Sequence, residues 1–493
     1  MRAKGQLLSV SIGLLALVAL LLPGQFSASV QALAGGFLRY FDWWALLLAS
    51  AALLFCGVLL FHPVGRFVIG GPDQKPEFRT TTWIAMMFAA GMGAGMVFWG
   101  AAEPLIHVLN PPPGEGLEPG SEAARLRGLA LTQFHWSLHA WAIYAVASIA
   151  IAVGAGDPRV LLPSKALPFL PQLARRAVDI LALVAVLFGL VASLGQGAFQ
   201  VSAGLSKLTA GAVEAKGATQ ISFLAVLTIA YLASAWLGLR KGIAVLSNIN
   251  LALAGVLAAF IFIAGPTWEI IKTTFESLWA YLAALPELSV NMRPEGEGRE
   301  WTRAWSLVYL LWWVAWTPFV GVFLARISRG RTLRGFVIAA VLVPCAVTLV
   351  WFSVFGGAAL SVQASGIDLG VSDFDTAPLA AYVLLDNFPF SAFMQAITVL
   401  LVSIFLITSA DSGAYVMAMF SEEASNPSRF GRLFWGVILA ALSAAAILSA
   451  EGQNATRALA VAGSIPLTFL LAAQGVSAAW SLFRQHREAS DEG

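Results

Sequence analysis

Long runs of apolar residues alternate with short polar or glycine- and proline-rich stretches along almost the whole chain. An α-helix needs roughly 20 consecutive apolar residues to cross the hydrocarbon core of a membrane. About twelve runs are long enough, and their centres lie near residues 15, 52, 92, 141, 191, 228, 253, 313, 347, 403, 438 and 468. The pattern predicts an all-α integral membrane protein with 12 transmembrane helices.

Composition and charge support this prediction and give an orientation. Charged residues make up 11% of the 493-residue chain, whereas soluble domains carry about 25%. Most of the 29 Lys and Arg lie in loops on the same side as the amino terminus, which is typical of cytoplasmic loops. We therefore expect both termini in the cytoplasm. Residues 1–32 resemble a signal peptide, but their long apolar run favours an uncleaved first helix.

The polar connections divide the chain into blocks. Residues 107–127 are predicted to form an external loop rich in proline and glycine. Two five-helix blocks enter the membrane from opposite sides, which is the topology of an inverted repeat. The predicted organisation is two N-terminal helices (1–80), a first repeat (81–265), an external amphipathic linker helix (266–302), a second repeat (303–484) and a short cytoplasmic tail (485–493).

Three glycines interrupt the apolar segment AGMGAGMVFWGAAEP, residues 90–104. Each of Gly91, Gly93 and Gly95 weakens a helix by about 1 kcal/mol. An unwound turn here would free backbone carbonyls and let a ligand approach the main chain closely. Close packing of neighbouring helices through small residues is the other interpretation.

Two predicted helices carry aromatic side chains along one face. At about 100° per residue, each set of rings shares one side; the first is Trp136, Trp141 and Tyr144, and the second is Trp305, Tyr309, Trp312, Trp313 and Trp316. A quaternary ammonium group donates no hydrogen bond but is attracted to ring faces within about 6 Å. The stripes therefore predict a pocket for such a group. Ordinary packing is the alternative, and Trp305 and Tyr309 could belong to a belt at the membrane surface.

The segment TSADSG places Thr408, Ser409, Asp411 and Ser412 inside an otherwise apolar run. A carboxylate within a membrane span is a candidate functional group, and hydroxyl and carbonyl oxygens suit an alkali or alkaline-earth cation. Alternatively, the hydroxyls bond back to their own helix and Asp411 caps a local break.

His135 and His139, four residues apart, resemble half of a zinc site, but no further ligand follows at the usual spacing. We therefore expect them to have a structural or hydrogen-bonding role. The chain contains no nucleophile elbow, phosphate-binding loop or carboxylate pair, so we expect no enzyme activity and no cofactor. Its basic residues line no single face, which argues against nucleic acid as a partner and leaves the lipid membrane.

Several motifs together closely resemble the betaine/choline/carnitine transporter family. They are GMGAGMVFWGAAEP (91–104), HWSLHAWAIY (135–144), GIAVLSNINLALA (242–254), WWVAWTPFVGVFLARISRGRTLRGF (312–336) and TSADSG (408–413). The resemblance runs in order over essentially the whole chain. It implies a LeuT-type core of two inverted five-helix repeats preceded by two helices, in the cytoplasmic (inner) membrane of a bacterium, as a homotrimer or a monomer.

The resemblance also implies site residues. An aromatic box for the trimethylammonium group would consist of Trp136, Trp141, Tyr144 and Trp313, with Trp312 and Trp316 along the same path. The glycine stretch, including Gly91, Met92, Gly93 and Gly95, would lie against the substrate. One Na⁺ would be bound by backbone carbonyls of Ala89 and Met92 together with Phe405, Thr408 and Ser409. A second sodium site would fall on Val186 and Leu190, whose side chains have no oxygen.

Two departures from relatives narrow the expected function. Proton-coupled choline carriers place an Asp where this chain has Gly95, so the missing charge favours a zwitterion. The short polar tails predict uptake that responds weakly to osmotic stress. We therefore expect a Na⁺ symporter of a glycine betaine-like zwitterion, with Na⁺ as coupling ion. The alternative is sodium-independent exchange, or proton-coupled uptake of choline, carnitine or dimethylsulfoniopropionate.

Overall fold

The computed structural model describes residues 3–91, 93–154, 161–237, 240–449 and 451–491. Within these residues the regular structure is helical, apart from one isolated bridge between Val68 and Thr332. Ten of the described helical stretches are long and apolar enough to cross a membrane. A helix satisfies its own backbone hydrogen bonds, which is why apolar sequence of this length is helical in lipid. The all-helical prediction is confirmed.

The first half of the chain forms helices whose starts carry favourable residues. Pro23 lies in the first turn of α2, and Ser121 Oγ accepts from Ala124 N at 3.2 Å at the start of α5; both arrangements stabilise a helix start. The helices are α1 (Ala3–Leu21), α2 (Pro23–Phe61), α3 (Thr80–Gly91), α4 (Ala94–Leu109), α5 (Glu122–Trp136), α6 (Leu138–Gly154), α7 (Gln172–Leu208), α8 (Ala218–Leu237) and α9 (Arg240–Ala264).

The second half continues in the same way. The helices are α10 (Thr267–Leu288), α11 (Glu297–Thr302), α12 (Val308–Ile327), α13 (Leu333–Val337), α14 (Val343–Ala364), α15 (Ala380–Leu385), α16 (Ser391–Glu422), α17 (Arg429–Leu448) and α18 (Gly452–Asp491). A π-helical turn at 303–307 joins α11 to α12, so that Glu297–Ile327 is one continuous stretch. A second π-helical turn, at 338–342, joins α13 to α14 in the same way.

Two predicted features differ in extent from the structure. The spans centred near residues 15 and 92 fall on shorter apolar helices, Val10–Leu21 and Ala94–Leu109. The predicted loop at 107–127 is too long, because α4 continues to Leu109 and α5 already begins at Glu122. The Ser121 cap and the acidic first residue, Glu122, both favour the earlier helix start.

The glycine-rich segment interrupts the helix, as its glycines predict. Helix α3 ends at Gly91 and α4 begins at Ala94, with Gly93 in an extended conformation (φ −144°, ψ −176°) between them. The Nε1–H of Trp351, on α14, donates to the main-chain oxygen of Met96 at 2.8 Å. This bond fixes the start of α4 immediately after the interruption.

A second interruption was not predicted. The segment HWSLHAW was interpreted as one helix, yet α5 ends at Trp136 and α6 begins at Leu138. Ser137 lies between them with non-helical torsions (φ −110°, ψ −122°), and its Oγ donates to Gln133 Oε1 at 2.7 Å. The spacing of about 100° per residue, which predicts Trp136 and Tyr144 on one face of a continuous helix, therefore does not hold across Ser137.

Helices α7 and α16 interlock through two leucine–glycine contacts. Leu190 of α7 fills the space that a Cβ on Gly413 of α16 would need, and Leu406 of α16 does the same at Gly197 of α7. In each helix the leucine and the glycine are seven residues apart, or about 10 Å along the axis. The two contacts are reciprocal, as expected for antiparallel helices with small residues at their interface.

The long helix α2 is tied to the core through a buried carboxylate. Asp42, which is 1% exposed, accepts hydrogen bonds from Arg299 Nε at 2.8 Å and from Arg303 Nε at 2.9 Å. The helix is kinked at Phe41, the residue just before Asp42. Two guanidinium groups compensate the burial of one carboxylate, so this contact fixes α2 against the start of the stretch Glu297–Ile327.

Candidate functional site

A cavity of about 800 Å³ lies between the helices, within the range of roughly 300–1,000 Å³ typical of small-molecule sites. Most of the residues predicted from the sequence line this cavity. They are Gly93, Gly95, Trp136, Tyr144, Trp312, Trp313, Trp316, Phe405, Thr408 and Ser409. Residues from α4, α5, α6, α12 and α16, distant in sequence, thus surround one space.

Three of these residues, Trp136, Tyr144 and Trp313, form a contiguous aromatic wall. The ring centroid of Trp313 lies 5.0 Å from that of Tyr144 and 5.8 Å from that of Trp136. Trp313 Nε1–H donates to the main-chain oxygen of His135 at 3.0 Å. With the indole N–H satisfied, the ring presents apolar, electron-rich surface, which attracts a cation that cannot form hydrogen bonds.

Trp141, the fourth predicted ring, does not line the cavity. It is 1% exposed and its ring packs behind the aromatic wall, with centroids 5.6 Å from Trp313 and 6.0 Å from Tyr144. In the structure as described, Trp141 therefore supports the wall from behind.

Trp312 and Trp316 line the cavity next to the aromatic wall. Trp316 packs against α7 at Gly189, where an added Cβ would lie 3.2 Å from the indole Nε1. The glycine therefore lets the ring rest directly on the backbone of α7.

The predicted sodium ligands on α16 lie at the cavity surface. Phe405, Thr408 and Ser409 line it, on a helix that runs unbroken from Ser391 to Glu422. Thr408 Oγ1 donates to the main-chain oxygens of Ile404 at 2.9 Å and Phe405 at 3.1 Å. Back-bonding uses the hydroxyl hydrogen and leaves oxygen lone pairs, which are the hard donors that an alkali cation prefers.

The opposite side of the predicted sodium site is described only in part. Met92 lies outside the described residues, and Ala89 and Gly91 are described only as members of the last turn of α3. Gly93 follows at the cavity surface.

Asp411 also lines the cavity, and one interpretation of it is wrong. Since α16 is continuous, Asp411 caps no break. It is 6% exposed, and its Oδ1 is a buried oxygen without a hydrogen-bond partner. Val186 and Leu190, the positions of a second sodium site, are 2% and 1% exposed. They offer only hydrocarbon, and Leu190 packs on Gly413.

Glu103 and His107 form a buried cluster that sequence reasoning missed. Glu103 is fully buried; its Oε2 accepts from Trp136 Nε1 at 2.6 Å, and its Oε1 lies 2.6 Å from His135 Nδ1. His107 Nε2 lies 3.4 Å from Oε1. The available signal was the single acid in GAAEP, since a carboxylate within an apolar span is by default a functional candidate.

The two histidines predicted as a pair have different surroundings. His135 faces the acid and the histidine of α4, and candidate ligand atoms of Glu103, His107 and His135 lie within 4.8 Å of one another. Sequence spacing within one helix could not show this proximity, because Glu103 and His107 lie on a neighbouring helix. His139 instead lies 3.2 Å from Ser289 Oγ and 3.4 Å from Ser50 Oγ.

Comparison with known proteins decides the class of this site. A sequence model of the betaine/carnitine/choline family of transporters matches residues 7–490. The Glycine betaine transporter OpuD of Bacillus subtilis (strain 168) is 38% identical over 462 residues, covering 91% of this chain and 88% of the relative. This chain belongs to the betaine/carnitine/choline transporter family. It is a membrane transporter and not an enzyme.

Other relatives have similar names. A Glycine betaine/proline/choline transporter of Vibrio parahaemolyticus is 35% identical, covering 88% of this transporter and 82% of the relative. A Glycine betaine transporter of Acinetobacter baylyi is 33% identical, covering 92% and 69%. The likeness extends over most of each chain.

An aromatic plug, which consists of Trp99, Trp305, Tyr309 and Phe374, lies at one end of the transporter's cavity, where Trp99 and Tyr309 line it. Trp305 and Phe374 stack with centroids 4.0 Å apart, and the guanidinium carbon of Arg457 lies 3.4 Å above the Phe374 ring. Arg457 also donates to the main-chain oxygen of Ala304. Trp305 and Tyr309 are 7% and 5% exposed, so the belt interpretation is wrong for both.

The other end of the transporter's cavity is basic. Arg326, Tyr415 and Arg432 line it, together with Thr82 and Met86 of α3. Tyr309 of the plug and Arg326 lie 17 residues apart on α12, about 26 Å along its axis. Helix α12 therefore runs from the plug, past the aromatic wall, to the basic end.

Proposed function

We propose that this transporter imports a quaternary-ammonium zwitterion, such as glycine betaine, by Na⁺ symport and alternating access. The observation that carries the proposal is the aromatic wall on a cavity that is also lined by Thr408 and Ser409. A methylated ammonium group is matched by the rings. The relatives named above are described as glycine betaine transporters, which supports the same substrate class here.

The absence of a charged side chain at residue 95 supports a zwitterion over a cation. Gly95 lines the cavity next to Trp136, and a carboxylate there would favour a ligand with net positive charge. Without it, the substrate's own carboxylate balances its ammonium group. Trp316, further along the cavity, lies toward the expected position of that carboxylate.

The coupling ion is proposed to bind between α3 and α16. Thr408 and Ser409 would supply hydroxyl oxygens, Phe405 its main-chain oxygen, and Ala89 and Met92 carbonyls freed by the helix interruption. Bound Na⁺ would stabilise the arrangement in which these two helices hold the substrate. One ion per substrate is proposed, because Val186 and Leu190 supply no side-chain oxygen.

The proposed architecture has 12 transmembrane helices with a LeuT-type core, built from repeats at 81–265 and 303–484. The flanking parts are 1–80, the linker 266–302 and the tail 485–493. With both termini in the cytoplasm, the basic end of the cavity opens inward and the aromatic plug closes the outer side. Arg326 and Arg432 then lie on the side where arginine is favoured. The protein would reside in a bacterial inner membrane as a homotrimer or a monomer.

Uptake of labelled glycine betaine into proteoliposomes tests the proposal. We expect accumulation when an inward Na⁺ gradient is imposed and little uptake when K⁺ replaces Na⁺ on both sides. Equal uptake in the two buffers would refute sodium coupling. No uptake of any methylated amine under either condition would refute the substrate class.

Proton-coupled or exchange transport of choline, carnitine or dimethylsulfoniopropionate is the second candidate. The buried cluster of Glu103, His107 and His135 favours its proton-coupled form, because an acid and two imidazoles lie close together beside the aromatic wall. Counterflow without any cation gradient would identify exchange. Uptake driven by an imposed pH gradient in Na⁺-free buffer would identify proton coupling.

A further inference from the structure

We propose that Glu103 is a positioning residue of the aromatic wall, and that its carboxylate, acting through the Nε1–H of Trp136, raises affinity for the ammonium end of the substrate. The inference rests on the proposed function, since it concerns the same cavity. It attributes part of the preference for a cationic ammonium group to an acid that does not itself line the cavity.

The carboxylate is separated from the cavity by one side chain. Glu103 is fully buried, whereas Trp136 lines the cavity and donates its Nε1–H to Glu103 Oε2 at 2.6 Å. Hydrogen bonds to an ionised acceptor are short and strong, so this contact holds the orientation of the indole plane. Glu103 is therefore placed to act on a ligand only through the ring.

Trp136 needs an external support because it is the last residue of α5, directly before the non-helical Ser137. Helix α4 supplies that support on two sides of the ring. Glu103 binds the nitrogen, and Gly95 allows the far edge to approach so closely that an added Cβ would lie 3.2 Å from Cη2. Two residues of α4 thus fix the orientation of the Trp136 ring.

The same acid also reaches the second tryptophan of the wall. Glu103 Oε1 lies 2.6 Å from Nδ1 of His135, whose main-chain oxygen accepts from Trp313 Nε1 at 3.0 Å. His135 Nε2 lies 2.9 Å from Ser306 Oγ. Trp136 is thus bonded directly to Glu103, and Trp313 is bonded to the main chain of the histidine that Glu103 contacts.

Electrostatics gives the sign of the effect. A carboxylate bonded to the indole N–H polarises the ring and increases negative charge on its face, which strengthens attraction for a cation. In a water-excluded site the interaction is weakly screened. A neutral acceptor at the same position would keep the ring in place but lose this contribution, so geometry and charge can be separated by substitution.

A metal ion is the competing interpretation of the cluster. Glu103, His107 and His135 have the required proximity. However, both Glu103 oxygens already have short hydrogen-bonding contacts, and a metal would replace the contact to His135. Both ring nitrogens of His107 are buried without a hydrogen-bond partner, so the test below includes a metal arm.

The test measures the Kd of purified protein for glycine betaine and the KM and Vmax for uptake. We expect Glu103→Gln, which keeps the shape and an acceptor oxygen, to raise Kd and KM about tenfold, or about 1.4 kcal/mol, with Vmax changed less than threefold. Glu103→Asp should recover part of the affinity. Thr132→Val is the control and should change Kd less than threefold, because Thr132 is a buried residue of the same helix as Trp136 whose hydroxyl bonds back to Gly128 O at 2.9 Å.

A double-mutant cycle with Trp136→Phe decides whether Glu103 acts through the indole N–H. We expect the effect of Glu103→Gln to shrink to less than threefold in the phenylalanine background. Full additivity, or an unchanged Kd in Glu103→Gln, would overturn the proposal. If Glu103→Gln does not fold, the comparison of Glu103→Asp with and without Trp136→Phe gives the same decision.

Two further measurements distinguish this proposal from a metal site and from a failure of the proposed function. If a chelator abolishes binding by the wild-type protein and Zn²⁺ restores it, the cluster is a metal site and the proposal is wrong; unchanged binding supports it. If the wild-type protein binds no quaternary amine, the proposed function fails. If it binds one and Glu103→Gln binds equally well, only the present inference fails.

Discussion

Gly95 and Trp136 are in such close contact that a Cβ on the glycine would lie 3.2 Å from the indole Cη2. This is closer than most carbon–carbon contacts in packed proteins, whose optimum is about 3.5–4.0 Å. The indole cannot yield freely, because its nitrogen is bound to Glu103. The glycine is therefore part of what sets the position of the aromatic wall.

The first prediction follows from this contact. Gly95→Ala should displace the Trp136 ring and raise the KM for glycine betaine roughly three- to tenfold, or about 0.7–1.4 kcal/mol. The control is Gly57→Ala on α2, because a Cβ at Gly57 meets nothing within 4 Å and Gly57 does not line the cavity. Initial rates of labelled uptake give both values, and equal effects of the two substitutions would contradict the role of the contact.

The second prediction concerns the aromatic wall. Trp313→Phe should weaken glycine betaine binding severalfold, and Trp313→Ala up to roughly thirtyfold, since a buried cation–π contact is worth about 2 kcal/mol. Unmethylated glycine should be affected much less. Trp141→Phe, behind the wall, is the control and should leave the ratio of the two affinities unchanged. Binding isotherms check this, and parallel losses for both ligands would indicate a packing defect.

The third prediction tests the ion side. Thr408→Val removes the hydroxyl at the cavity and should raise the KM for Na⁺ at least tenfold, while Thr398→Val should not. The control is closely matched, because Thr398 lies on the same helix and bonds back to Met394 O at 2.9 Å in the same way. Uptake measured over a range of Na⁺ concentrations distinguishes the two. A similar change in both variants would show that only helix stability had been altered.

The fourth prediction concerns the aromatic plug. Arg457→Gln removes the cation above Phe374 and should destabilise the closed end by about 0.5–2 kcal/mol. In a variant lacking native cysteines and carrying Ala94→Cys, external labelling by an impermeant thiol reagent should accelerate roughly two- to thirtyfold. Arg39→Gln, at a cation–π pair on α2, should not accelerate it. An unchanged rate in Arg457→Gln would show that Arg457 does not hold the plug.

The fifth prediction concerns pH. Glu287 of α10, outside the long apolar helices, accepts from Arg127 at 2.8 Å and 3.0 Å. The adjacent guanidinium lowers the pKa of Glu287 below its usual value of 4.5. The pair therefore contributes fully above that value, and the contribution is lost as pH falls through the lowered pKa.

We expect Glu287→Gln to lower the melting temperature in detergent slightly at neutral pH, since partly exposed pairs contribute about 0.2–1 kcal/mol. The difference from the wild-type protein should shrink as pH falls below 4.5 and vanish once pH is below the lowered pKa of Glu287. A difference that persisted in acid would mean that Glu287 acts through packing and not through its charge.

Much of the fold follows from hydropathy, because a membrane imposes one requirement on every span. The interruption at Gly93 was also predictable, because glycine weakens a helix more than any residue except proline. The break at Ser137 was not predictable in the same way. The surrounding HWSLHAW contains neither glycine nor proline, and the non-helical torsions of Ser137 lie between two packed helices.

The aromatic residues and hydroxyls could be predicted individually from the sequence, but how deeply each of them is buried in the protein could not. Trp141, Trp305 and Tyr309 have the residue types expected of a wall or a belt, and only packing distinguishes a ring behind the wall from a ring in the plug. Glu103 could have been recognised from the sequence as a candidate, because it is the single acid in an apolar run. Its partner His135 lies 32 positions away, and no spacing rule within one helix connects them.

The leucine–glycine interlock of α7 and α16 restricts how the cavity can change shape. Thr408 and Ser409 lie on α16 between Leu406 and Gly413, and Phe405 directly precedes Leu406. Sliding of α16 along the axis of α7 would force Leu406 and Leu190 out of the spaces that they fill at Gly197 and Gly413. The two helices must instead tilt together. Since Trp316 rests on Gly189 of α7, a tilt that began at the proposed ion site would also displace this tryptophan ring in the cavity. This mechanical link runs through the backbone of α7 and does not require contact with a ligand.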